Sequence, residues 1–184
     1  MFRKLPTMLV GLLAVGAFGG GLYWWELRQV PQPLSYADIQ EKDDYERLIN
    51  ILLPTVKGVL ERDGELPQPV AFGMEMNDHL DFLEPQGSST LDSLSQIVHD
   101  FKFGAHAGQI RCTAIAYDVM RKDPGIPPYD ALEFRFEHIN GDAVKGWLSY
   151  KQVAPHKFQY GVIHFERMDR VIFSRHNVEY GDKD

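Results

Sequence analysis

The chain has a single cysteine, no run of basic residues and none of the short motifs that specify a reaction. Cys112 alone cannot form an internal disulfide, which excludes a disulfide-stapled secreted scaffold. It lies in Arg111-Cys112-Thr113-Ala114-Ile115, a strand-like stretch in which a lone cysteine reads as core packing. A formal charge of −7, with no local cluster of Lys and Arg, argues against a nucleic-acid partner, because such binders need cationic side chains to displace counterions. The chain has no G-x-S-x-G elbow, no cysteine-protease signature, no C-x-x-C and no H-x-x-x-H pair. Its one glycine run, Gly19-Gly20-Gly21, falls in an apolar segment and not in a phosphate-binding loop. These absences point to a protein with no cofactor, no metal and no locally encoded catalytic centre.

What is present begins with that apolar segment. Arg3 and Lys4 precede an uncharged stretch over residues 8–25, about 27 Å long as a helix and close to the thickness of a bilayer core. Tyr23, Trp24 and Trp25 close the stretch as membrane-interface residues. The reading is a single transmembrane anchor in a bacterial inner membrane, N-terminus cytoplasmic and the following domain periplasmic or extracytoplasmic. A cleaved signal peptide, with a site near Ala17-Phe18-Gly19, is the competing reading. Gly16 with Gly20, and Ala17 with Gly21, have the small-xxx-small spacing that lets a second helix approach closely in lipid. Residues 1–28 are thus assigned to the anchor or signal segment, 29–35 to a proline-stiffened linker, 36–174 to a folded domain and 175–184 to a polar tail.

Hydrophobic residues at 44% and charged residues at 24% are ordinary values for a globular domain. Ser35 and Asp38 suggest a helix start, and Tyr45, Leu48, Ile49, Leu52, Leu53, Val56, Val59 and Leu60 have helical spacing up to Gly64. Pro54 inside that pattern predicts a kink near Asn50 or two abutting helices. Residues 70–76, with Val70, Phe72, Met74 and Met76 alternating, and residues 79–84 predict a hairpin turning at Asn77-Asp78. A second helix, capped by Ser89 or Thr90, presents Leu91, Leu94, Ile97, Val98 and Phe101 and closes at Gly104. Strands follow at 110–121, around 132–136, at 143–151, at 160–166 and at 171–173. Pairing Phe136 with Val144 and Leu132 with Leu148 keeps apolar residues on one face, and predicts an Ile139-Asn140-Gly141 loop with Gly141 left-handed.

The fold class is therefore α+β: an antiparallel sheet of about five strands with helices on one face, in the order α-β-β-α-β-β-β. That order resembles the layout of roadblock and profilin-like folds. The stretches Phe72-Gly73, Asp130-Ala131-Leu132 with Glu137-His138, and Tyr160-Gly161 with Ile172-Phe173 are similar to small uncharacterised bacterial α+β proteins. The resemblance implies a fold and carries no activity.

His99, Asp100 and His106 form the densest polar cluster, and histidines near a helix end ordinarily complement the dipole. Glu75 and Asp81 are expected to face each other across the first hairpin, which would suit a glycosidase pair or a cation site, although acidic side chains on a wet hairpin face are ordinarily just solvated. Trp147 is expected on the same outward face as Arg135 and Lys145, a candidate partner surface with cation–π support. The functional expectation is a membrane-anchored, non-enzymatic accessory protein that contacts lipid through residues 8–25 and binds a protein partner in a membrane complex. The alternatives are an exported hydrolase with a His/carboxylate site, and a soluble periplasmic small-ligand module should the N-terminus be cleaved.

Overall fold

The computed structural model describes residues 41–174, all within the second of the chain's two units, Pro33–Asp184. The span expected over residues 8–25, including Gly16, Ala17, Gly20, Gly21, Tyr23, Trp24 and Trp25, lies outside them, as do the Ser35 cap and the 175–184 tail. Among the described residues no helix is long and apolar enough to cross a membrane.

Helix α1 spans Lys42–Asp63 and buries Tyr45, Leu48, Leu52, Val56 and Leu60, one residue per turn along a single stripe. It runs unbroken through Pro54, against the expectation of two abutting helices. Pro54 and Asn50 both face solvent, so water can satisfy the Asn50 carbonyl that proline leaves without a partner. Gly64 ends the helix with φ 85°, its N–H donating to the Leu60 carbonyl, which a residue with a Cβ would do only under strain.

Strands β1 (Val70–Glu75) and β2 (Leu80–Leu83) form the first hairpin, and helix α2 covers Thr90–His106. The Ser89 hydroxyl accepts the Asp92 N–H at 3.2 Å and so caps α2. Gly104 does not close α2. It is buried inside the helix with the Ile110 side chain 3.5 Å from where a Cβ would sit. Leu91, expected on the buried face, is 74% exposed. The inward position is taken by Ser93, whose hydroxyl bonds the Gln68 side chain at 2.6 Å and against which the backbone at Gly87 packs closely.

Strands β3 (Ile110–Arg121), β4 (Tyr129–His138), β5 (Ala143–Ala154) and β6 (Lys157–Arg167) complete a six-stranded antiparallel sheet ordered β2-β1-β3-β4-β5-β6. The pairings Phe136 with Val144 and Leu132 with Leu148 are as the hydrophobic pattern requires. The turn that sets them differs from the expected one, since Gly141 is not among the residues with positive φ. Instead the loop is tied down by its carbonyls: Tyr45 donates to the Asp142 oxygen, and the Arg170 guanidinium donates to those of Ile139 and Gly141. Residues 171–173, expected as a strand, form a bend whose N–H groups converge on the Glu137 carboxylate.

The two helices lie on opposite faces of the sheet, correcting the expectation that both cover one face. The α1 stripe packs on Val70, Met74, Cys112, Ala114, Ala116, Leu132, Phe134, Phe136, Val144 and Leu148. On the other side, Ile97 and Phe101 of α2 pack on Ala71, Ile110, Ile115 and Tyr117, with Ile172 and Phe173 joining them. Both sides of β3 are therefore buried from Cys112 to Tyr117. Cys112 is fully buried on the α1 face, where desolvation pushes its thiol well above the ordinary range, so it is a packing residue.

Candidate functional site: the open half of the sheet

Alternation along a strand sends every second side chain to the face opposite α1. On β4 and β5 these are Glu133, Arg135 and Glu137, and Lys145, Trp147 and Ser149, paired across the ladder as Glu133–Trp147 and Arg135–Lys145. Arg135, Lys145 and Trp147 thus share the face the sequence assigns them. Helix α2 packs over β3, and the half of this face formed by β4–β6 carries none of the helix's hydrophobic contacts. What occupies it is a set of interlocked aromatic and charged side chains.

Two chains of contact run across it. In the first, the Arg121 guanidinium lies 4.0 Å from the centre of the Trp147 ring, reaching past Ala131, which is small enough to leave room. Trp147 in turn stacks on His164 of β6 with ring centres 5.5 Å apart. Arg121 is held from behind by Asp123 at 3.1 Å, and Asp123 also accepts the Tyr129 hydroxyl. These bonds keep the Asp123 carboxyl below the ordinary range. In the second chain, Glu133 accepts from the Tyr117 hydroxyl and from Arg135 at 3.0 Å, and Arg135 also lies 5.2 Å from the Tyr117 ring. Lys145 pairs with Glu166 at 2.7 Å beside them. Each long side chain is held by at least one neighbour, so little rotamer entropy is left to lose on contact with another molecule.

A second polar cluster sits at one end of the sheet. Arg111 of β3 makes a bidentate pair with Asp44 of α1 at 2.8 and 3.1 Å, bonds the Glu75 carbonyl at 2.8 Å and also pairs with Asp78. His138, only 3% exposed, lies 3.2 Å from Asp44 through Nε2, and its Nδ1 accepts the Asn140 N–H at 3.0 Å. Since Nδ1 accepts, Nε2 carries the proton and donates to Asp44. Hydrogen bonds from Arg111, foremost, hold the Asp44 carboxyl below the ordinary range. Both nitrogens of His138 are thus engaged inside the protein.

The remaining sequence candidates separate. His99 and Asp100, adjacent on α2, pair with each other at 3.3 Å, and both are exposed. His106 is seven residues on, about 10 Å along the helix axis, so the three do not converge. Sequence reasoning missed Glu137, whose outward-facing carboxylate is 2% exposed and collects the N–H groups of Val171, Ile172 and Phe173. His79 joins the Glu75 and Asp81 pair that the sequence places across the first hairpin.

A scan against protein-family models, a search of curated proteins and a search of solved structures found no match to this chain.

Proposed function

We propose that this protein is a single-pass accessory subunit of a bacterial inner-membrane complex, anchored through residues 8–25, whose extracytoplasmic domain binds a partner protein through the open half of the sheet. The observation that carries the reading is the Arg121–Trp147–His164 stack. Trp, Tyr and Arg dominate the binding energy of protein interfaces, and here Trp147, Tyr129, Arg121 and Arg135 are gathered on one side of the sheet. Their charges are balanced by Asp123, Glu133 and Glu166, which suits a neutral protein surface better than a polyanion.

The test is purification of the full chain from membranes in mild detergent, comparing the native protein with Trp147→Ala and Arg121→Ala. One discrete partner retained by the native chain and lost from both variants is the expected result. A lone monomer, or a partner retained equally by all three, overturns the reading.

A further inference from the structure

We propose that Glu75, His79 and Asp81 form a binding site for a divalent transition-metal ion of the zinc class. The first hairpin supplies all three. Glu75 ends β1 and donates its N–H to the His79 carbonyl at 2.8 Å, so the two residues sit opposite each other. Asp81 lies two residues further along the return strand, on the same side of the ladder as His79. One donor atom from each residue falls within 4.8 Å of the others, and His79 Nε2 is already 3.8 Å from an Asp81 oxygen. Metal–ligand bonds of about 2.1 Å place donors roughly 3.0–3.5 Å apart, so closure takes only a small rotation of exposed side chains.

The cluster differs electrostatically from the other acidic groups nearby. Asp44 and Asp78 are each neutralised by arginine. Glu75 and Asp81 have no Lys or Arg partner among the described residues, and Glu75 has no side-chain hydrogen bond at all there. Two unneutralised carboxylates beside an imidazole attract a cation. The imidazole selects zinc-like ions over calcium or magnesium, which take oxygen donors.

The hairpin is also held still. Arg111 grips the Glu75 carbonyl and the Asp78 carboxylate, and Arg47 adds a second pair to Asp78 at 3.2 Å. The β1–β3 ladder shifts register between Met74 and Glu75, an irregularity of the kind that re-aims a side chain. Three protein ligands leave a fourth position for water or a donor from another molecule. The proposal does not depend on the partner-binding reading, which concerns β4–β6.

The test is calorimetric titration of ZnCl2 into the metal-free full chain in detergent micelles, alongside His79→Ala, Asp81→Asn and the control His99→Ala. One saturable site is expected in the native chain and in His99→Ala, weakened at least about tenfold in the other two. The melting temperature should rise with ZnCl2 in the native chain and not in His79→Ala. Absence of a saturable site, or equal affinity in His79→Ala, overturns the proposal. The substituted side chains are exposed, and circular dichroism of each variant separates lost binding from lost fold.

Discussion

The two faces of the sheet are built by the same strands and finished in different ways. Towards α1, the buried positions from β1 to β5 are mostly apolar, with His138 the polar exception at one end, and Leu48, Leu52, Val56 and Leu60 are fully buried above them. Away from α1, a smaller apolar cluster under α2 gives way at Tyr117 to ion pairs and stacked rings. Burial of each large side chain on the closed face contributes about 2–3 kcal/mol. Exposed ion pairs and cation–π contacts contribute about 1 kcal/mol or less each. Most of the stability therefore comes from the closed face and the cluster under α2, and the stacked rings and ion pairs of the open half contribute least.

Substitutions can break that contrast in graded steps. Phe134→Ala, at the centre of the closed face, should cost about 3–5 kcal/mol in chemical denaturation. Glu137→Ala should cost about 3 kcal/mol, because it strands the N–H groups of residues 171–173 beside the α2 cluster. Glu137→Gln should recover part of that loss, and protease sensitivity near Arg170 should follow the same order.

Asp44→Asn should cost about 2 kcal/mol at neutral pH and also change the acid limb. The Asp44 carboxyl is held below its unfolded value by Arg111, so its contribution is complete above about pH 4 and is lost as pH falls through the depressed value. Glu137 has the opposite sign: burial, opposed by its N–H donors, raises its pKa, so its contribution weakens as pH rises through the raised value. Denaturation of native and Asp44→Asn chains between pH 2 and about 6 should show the native loss of stability below pH 4 flattened in the variant. Trp147→Ala, on the open half, should cost no more than about 1 kcal/mol, and Leu91→Ser less than about 0.5 kcal/mol.

Features set by neighbouring residues were legible in the sequence. The Ser89 cap, the Gly64 stop, the limits of β3 and the β4–β5 register each follow from residue chemistry acting over a few positions. The side of the sheet taken by α2 was not, because element order does not encode it. Its trace was the uncharged run Cys112–Tyr117, apolar but for Thr113, which signals a strand buried on both faces. The bend at 171–173 was hidden because a buried carboxylate 34 residues away replaces the ladder partners a strand would need. Of the surface candidates, the Arg135–Lys145–Trp147 grouping could be read from alternation alone. Arg121 and His164, which complete it, come from strands whose register no local pattern fixed.

The central proposal is that the partner protein contacts the open half of the sheet. A photo-crosslinking amino acid placed at position 147 of the full chain, and at the exposed position 91 as control, tests this in intact membranes. The account predicts one discrete adduct from position 147 and none from position 91. No adduct from 147, or the same adduct from both, would contradict it.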